Sequence, residues 1–446
     1  MTHRAGAFLT FFTNFGTYGI TAISGVLLAR ALEAQGRGEL AAIVLWPSLI
    51  LSSGGLGIPS TTAYFASQAR WPAGTVYGTF LWVAVAQSLV LMAAGWIVIP
   101  IALQSHDAGI IALSHWYLLT IPLSLAGGIS HGALQGTSQL GKYNLARSLS
   151  PVVYFLGIAA LWLAGALSVE AATTLLLTIG FISAAGSVWL VIWQSDTRLR
   201  WNSGLAREIF GYGFKTQLAN TTQWLNLRLD QLILSVFLPA QSLGYYAVAV
   251  TLSQILSPLG SSMAILTLPA VARQTTAEAG LLRLRLSLRR GLSLLIAGGI
   301  VLVIALPWLT PLLVGGSYLP AIGAAQVLVL GAILLGFNDI STEGLRGLGR
   351  PMIPAISQLL SLVVTGLLLA FLLPSLGILG AAMASVAAYA TVALIHFFYL
   401  SRYGLKLSHL TPQMEDWLDF WQVIVSAYRR LAGKMGRLAA PSGQIR

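Results

Sequence analysis

Cysteine is missing from this 446-residue chain, so neither a disulfide framework nor a thiolate metal site can form. Charge is nearly as scarce. Asp, Glu, Lys and Arg make up 9% of the residues, against roughly 25% in an ordinary soluble domain. So few charges cannot clothe a water-facing surface of this size. Hydrophobic residues reach 56% and the mean hydropathy is +0.79, so the solvent is largely lipid. Short alternating strand patterns are absent, which excludes an outer-membrane barrel. Long polar loops are absent as well, which excludes a soluble catalytic domain with its own core. Carboxylates are few, 13 against 25 Lys and Arg, giving a formal charge of +12. In a soluble protein that balance would suggest nucleic acid. In this chain the cations flank apolar runs, where anionic membrane lipids account for them, and no nucleic-acid partner is expected.

What is present is a series of twelve apolar segments: Phe8–Leu28, Leu40–Ile58, Val76–Ile99, Ile110–Gly132, Leu149–Leu167, Thr173–Trp193, Thr216–Leu238, Tyr245–Pro269, Gly291–Leu313, Ala321–Ile340, Ile353–Leu373 and Ile378–Leu400. Each can cross a hydrocarbon core of about 30 Å as a helix. The first has no clean cleavage site after it and is expected to be retained. Of the 25 Lys and Arg, 21 fall in alternate gaps. Arg30 and Arg37 fall in the opposite set, beside Glu33 and Glu39, and Lys215 and Arg228 fall within or at the end of span seven. The bias predicts that both termini are cytoplasmic.

The second half echoes the first. Ala34-Gln35-Gly36-Arg37-Gly38 aligns with Ala240-Gln241-Ser242-Leu243-Gly244 at an offset of 206, which also pairs Asn14 with Asn220. Leu134-Gln135-Gly136 resembles Leu345-Arg346-Gly347 at an offset of 211. Six spans per half give both halves the same orientation, a parallel repeat. The expected fold is an all-α polytopic membrane protein, with twelve transmembrane helices in two six-helix bundles around a central cleft. Residues 1–200 form the first lobe, 201–400 the second, and 401–446 a cytoplasmic tail. In the tail, Thr411-Pro412 starts an amphipathic helix with Trp417, Trp421, Ile424, Tyr428 and Leu431 on one side, suited to an anionic membrane surface or to a partner such as a synthesis enzyme.

Several motifs carry a resemblance. Ala29-Arg30-Ala31-Leu32 followed by Gly36-Arg37-Gly38 is similar to the turn after span one in polysaccharide transporters, with Glu33 where those proteins have Gly. Arg228-Leu229-Asp230, then Gly244-Tyr245-Tyr246-Ala247-Val248-Ala249, then Gly315 and Tyr318, then Leu376-Gly377-Ile378-Leu379-Gly380-Ala381-Ala382 follow in the family's order. The chain thus resembles the lipid-linked oligosaccharide flippase branch of the superfamily that also holds multidrug extruders and the lipid II flippase. The resemblance implies a two-lobed transporter, not an enzyme, that carries polyprenyl-pyrophosphate-linked sugars to the outer leaflet of a bacterial inner membrane. It implies no cofactor beyond a coupling cation, Na+ or H+.

The polar residues within the spans are the candidate site. Gln217, Asn220, Thr221, Trp224, Arg228, Gln231 and Ser235 recur at steps of three and four and share a helical face. Asn14 and Thr17 belong to a similar stripe in span one. Arg228 offers a donor fork that matches phosphate oxygens. Asp230 either binds a coupling cation or neutralises an arginine. Two residues apart, Arg228 and Asp230 point away from each other. Lys215 either receives a headgroup or snorkels to the interface. Arg30 and Arg37 either attract the anion near its exit or pair with Glu33 and Glu39. Asp339 and Glu343 are one turn apart, with Arg346 placed to form a salt bridge to Glu343. The histidines lack metal-ligand spacing. Two readings compete with the flippase. A cation-coupled drug exporter would want a smaller, more acidic cavity. A membrane-embedded polymerase or ligase would want a long catalytic loop.

Overall fold

The computed structural model describes residues 3–68, 70–192, 199–411 and 413. The expected tail helix, most of which follows Gln413, and the side chain of Asn14 lie outside the described residues. The chain forms α1 (His3–Gly54), α2 (Ile58–Gln68), α3 (Ala73–Ala102), α4 (Ala108–Tyr117), α5 (Thr120–Gly136), α6 (Leu140–Leu163), α7 (Val169–Ile192), α8 (Ser203–Phe237), α9 (Ala240–Ser253), α10 (Ser257–Ala272), α11 (Ala277–Leu313), α12 (Ala321–Gly347) and α13 (Met352–Ser401). Among the described residues there is no strand, and nine helical stretches are long and apolar enough to cross a membrane. The protein is therefore all-α and multi-pass. The 35-residue α8 is not one of the nine: it carries Arg207, Glu208, Lys215, Arg228 and Asp230.

Two helices are too long for one crossing. At about 1.5 Å per residue, 52 residues would reach roughly 78 Å, more than twice the hydrocarbon thickness. The backbone of α1 leaves the helical region at Glu33 (φ 53°, ψ −174°). That region is nearly reserved for glycine, because a Cβ clashes there. In the 50-residue α13 the break falls on Gly377 (φ 53°, ψ −130°), where no Cβ is present to object. Its two halves run back along each other: Ser357 is 2.9 Å from Nε2 of His396, and the Ser361 hydroxyl donates to the Ala388 carbonyl at 3.1 Å.

A break inside lipid frees backbone groups that side chains must satisfy. The α1–α2 break at Gly54–Gly57 shows how. The Gly57 N–H donates to Oε1 of Gln217 at 2.7 Å, and the Gln217 amide and the Thr221 hydroxyl (2.6 Å) both donate to the Ser52 carbonyl. Gln87 of α3 donates to the Gly54 carbonyl. Helix starts use ordinary caps: Asn202 accepts from the Leu205 N–H at 2.8 Å, and Thr276 from the Ala279 N–H at 3.3 Å.

The main packed core draws on both halves of the chain, with Ala29, Ala34, Ala42 and Ile43 of α1 against Leu243, Tyr246 and Ala249 of α9 and Ala321 and Ala325 of α12. Alanines supply many of the contacts between helices, as expected where dispersion and close backbone approach, rather than water exclusion, hold helices together in lipid. The closest approach joins α1 to α9. A Cβ on Gly38 would fall 1.6 Å from the Ala240 carbonyl oxygen, and one on Gly244 would fall 1.8 Å from that of Ala34. These are the two segments that match at an offset of 206.

Candidate functional site

A cavity of about 1020 Å³ lies among α1, α6, α7, α8, α9 and α10. Three arginines line it, each from a different helix: Arg37 of α1, Arg147 of α6 and Arg228 of α8. No carboxylate is among the lining residues. Trp224, Tyr154 and Tyr18 supply aromatic surface, and Thr17, Ser48, Gln231 and Gln254 supply neutral polar groups.

The arginines are held without being neutralised. Arg228 Nη1 donates to Oε1 of Gln231 at 3.1 Å, one turn along α8. Arg147 Nη1 is 3.4 Å from the Tyr143 hydroxyl, and its guanidinium lies 5.7 Å from that ring's centroid. Arg37 has Tyr154 and Tyr318 in its vicinity, and its buried Nε has no hydrogen-bond partner among the described residues. None of the three forms an ion pair among the described residues. Like charges so arranged in a low-dielectric space repel each other and favour an anion between them.

The sequence-derived candidates divide into those that line this cavity and those that do not. Arg228, Trp224, Gln231, Thr17 and Arg37 line it. Thr17 also donates its hydroxyl back to the Thr13 carbonyl at 2.7 Å. Asn220 and Lys215 are exposed and stand outside it. Gln217 is buried and spends its amide on the α1–α2 break. Asp230 points the other way, into the packing of α8 with α9 and α13. Its Oδ2 accepts from the Tyr246 hydroxyl at 2.5 Å and the Ser385 hydroxyl at 2.7 Å, and its Oδ1 from the Gln231 N–H at 2.7 Å. It neither lines the cavity nor pairs with an arginine.

Arg30 is also outside the cavity. It donates to the Leu312 carbonyl at the end of α11. The Tyr318 hydroxyl donates to the Ala29 carbonyl at 3.0 Å. With Ala34–Gly38 packed on Ala240–Gly244, these bonds tie the middle of α1 to α9 and the α11–α12 connection. Glu343 and Arg346 form the expected salt bridge at 2.6 Å, while Asp339 is exposed. Among the described residues no group of three or more His, Asp or Glu could hold a metal ion.

Arg147 was not singled out from the sequence, because it sits just before an apolar segment and reads as a flanking cation. A signal existed: Arg147, Pro151 and Tyr154 are spaced four and three residues apart, on one face of α6, and all three line the cavity.

A polytopic helical protein with a cationic internal cavity is the class these features define. Residues 27–323 match the family described as polysaccharide biosynthesis protein, and the chain belongs to that family. No curated protein matches its sequence. Among solved structures it is similar to the lipid II flippase MurJ in an inward closed conformation, with a TM-score of 0.75, 15% identity, and coverage of 92% of this chain and 89% of that one. It is similar to an inward-facing multidrug resistance MATE family transporter of the MOP superfamily (TM-score 0.70, 13% identity, 87% and 94% coverage). It is also similar to the MATE multidrug transporter DinF-BH in complex with R6G (TM-score 0.62, 16% identity, 90% and 96% coverage). At these identities the likeness defines the shared fold.

Proposed function

We propose that this protein is a flippase that carries a polyprenyl-pyrophosphate-linked oligosaccharide from the inner to the outer leaflet of a bacterial inner membrane, for surface polysaccharide synthesis. The observation that carries the reading is the cavity itself: Arg37, Arg147 and Arg228 line it, no carboxylate does, and aromatic and amide side chains stand beside them. A diphosphate headgroup is an anion that must cross lipid, and guanidinium forks lower that barrier. Trp224 and Tyr154 offer flat faces for sugar rings. The family's description and the flippase fold agree with this substrate class.

In this reading the breaks at Glu33 and Gly377 turn α1 and α13 into two crossings each, giving twelve helices in two six-helix bundles. The reciprocal contact of Ala34–Gly38 with Ala240–Gly244 supports a pseudo-twofold axis between lobes of about 200 residues each. Both termini are cytoplasmic, on the side that carries the basic flanks. The bonds of Arg30 and Tyr318 then close the outer end. Transport proceeds by rocking one bundle on the other.

A second reading is a cation-coupled exporter of small molecules. The buried carboxylate of Asp230 and the likeness to multidrug transporters favour it, and the acid-free cavity speaks against a cationic drug. The test is Arg228→Ala. Surface polysaccharide export should be abolished while protein abundance and membrane insertion stay near normal. A fall in abundance alone, with export per molecule unchanged, overturns the flippase reading.

A further inference from the structure

The polar cavity does not use the cations at the other basic feature of the molecule, the end of α13. Segments 273–290, 343–350 and 402–406 carry nine Lys and Arg against Glu278 and Glu343. Packing brings these segments together. Leu284 of α11 fills the space beside Gly344 of α12, Leu348 lies beside Gly280, and Arg285 donates to the Gly404 carbonyl at 2.5 Å. Because α13 folds back on itself, its two ends meet here. Arg350 lies just before α13 and Arg402 just after it, so the hairpin carries both to this end, where the Tyr399 hydroxyl lies 3.3 Å from that of Tyr403. Arg402 also lies 4.7 Å from the centroid of the Phe398 ring. Neither arginine has an ion pair among the described residues, and both are exposed.

The apolar neighbours decide what kind of anion fits. Met352 is 65% exposed and Phe398 61% exposed, one on each half of α13, next to the arginines. Guanidinium groups, phenol hydroxyls and exposed apolar side chains at one end of α13 make this end amphipathic. A soluble phosphate would leave the apolar side chains uncovered, whereas a phospholipid offers both a phosphate and hydrocarbon. We infer that Arg350, Arg402 and Tyr403 hold the phosphate of an anionic phospholipid whose acyl chain lies along Met352 and Phe398. Charged lipid headgroups gather at basic flanks of this kind, and an arginine fork binds phosphate oxygens in two places. This site is separate from the transport cavity and does not depend on what the cavity carries.

The test is a lipid titration followed by native mass spectrometry of the full chain in a neutral detergent. Phosphatidylglycerol, phosphatidylcholine and inorganic phosphate are compared on the parent, on Arg350→Gln/Arg402→Gln and on Arg228→Gln. Phosphatidylglycerol should form a persistent adduct with the parent and with Arg228→Gln. The double variant should bind it roughly 25-fold more weakly, about fivefold per arginine. Phosphatidylcholine and inorganic phosphate should not form the adduct. Undiminished phosphatidylglycerol binding in the double variant overturns the site. So does loss of binding in Arg228→Gln, which would put the lipid in the cavity, or an equal adduct with inorganic phosphate. If the double variant does not fold, Arg402→Gln alone must show the fivefold loss, and full binding in it overturns the inference.

Discussion

Gly38 and Gly244 each meet the residue four positions before the other: a Cβ on Gly38 would fall 1.6 Å from the Ala240 carbonyl oxygen, and one on Gly244 would fall 1.8 Å from that of Ala34. Such a reciprocal, self-complementary contact is what a twofold axis imposes. The opposing atoms are backbone, so no side chain can swing away to make room. Gly38→Ala/Gly244→Ala should therefore push α1 and α9 apart by at least about 2 Å to restore ordinary contact distance. The chain has no cysteine of its own, so spin labels on Gln35→Cys and Gln241→Cys, both exposed, report the separation without background. An unchanged distance distribution in the alanine pair would mean that the contact yields elsewhere.

Glu33 holds a backbone conformation that glycine adopts freely (φ 53°, ψ −174°). Strain of this kind costs about 1–3 kcal/mol, and glycine returns about 0.5–1 kcal/mol of it through the greater entropy of the unfolded chain. Glu33→Gly should gain roughly 1 kcal/mol, read as a raised midpoint of thermal unfolding in detergent. Glu33→Ala removes the same charge but keeps the Cβ, and should gain nothing. Equal stabilisation by both would trace the effect to the charge.

Gln217 looks like a ligand in the sequence and acts as a brace in the structure. It accepts from the Gly57 N–H at 2.7 Å and donates to the Ser52 carbonyl. Gln217→Leu strands the Gly57 N–H inside the protein, at a cost of about 1–3 kcal/mol, while the Ser52 carbonyl keeps the Thr221 hydroxyl. The variant should lose thermal stability and abundance, with export falling in proportion to the protein remaining. Export lost from a normally abundant, normally stable Gln217→Leu would return this residue to the substrate path.

Much of the architecture is legible in the residue pattern. The uncharged runs on either side of Ala29–Gly38 predict a turn there, and the backbone breaks at Glu33. Ala34–Gly38 and Ala240–Gly244, which match at an offset of 206, pack on one another. The site is less legible, because helical periodicity tells only that a polar face turns inward. It does not separate a face toward a cavity from a face toward another helix. Arg228, Trp224 and Gln231 face the cavity. Asp230 lies on the same helix but is enclosed by Tyr246 and Ser385, and Gln217 faces a helix break. Those partners lie up to 165 residues away in the chain, out of reach of any local pattern.

Asp230 gives a prediction that bears on energy coupling. All three of its bonds are accepted from donors: Tyr246 and Ser385 at Oδ2, and the Gln231 N–H at Oδ1. Asp230→Asn keeps the shape but puts an amide N–H₂ where one of the accepting oxygens stood. With its oxygen kept at the Gln231 N–H, the amide nitrogen makes the Tyr246 and Ser385 hydroxyls turn to accept from it and takes away the acceptor of their own protons, so stability should fall by about 1–3 kcal/mol. Ser385→Ala removes one donor and should cost less, because the oxygen keeps Tyr246. If the carboxylate also takes a coupling cation, Asp230→Asn reconstituted in vesicles should transport at a rate indifferent to an imposed Na+ or H+ gradient. A gradient response equal to that of the parent would leave Asp230 a packing group.

Arg147 is the sharpest test of the cavity, because its other bonds are weak: a 3.4 Å approach to the Tyr143 hydroxyl and the face of the same ring. Its loss should barely touch folding. A guanidinium that meets a phosphate contributes about 1.5–3 kcal/mol through charge-assisted hydrogen bonds, so Arg147→Gln should slow transfer of a diphosphate-linked lipid by roughly 10- to 150-fold. Arg147→Lys keeps the charge without the planar fork and should fall between the two. The comparison that matters is a lipid with the same tail and a neutral headgroup, flipped in the same vesicles. Its slow transfer should be unchanged by Arg147→Gln. An equal loss for both lipids would mean that Arg147 holds α6 in place and never meets the anion.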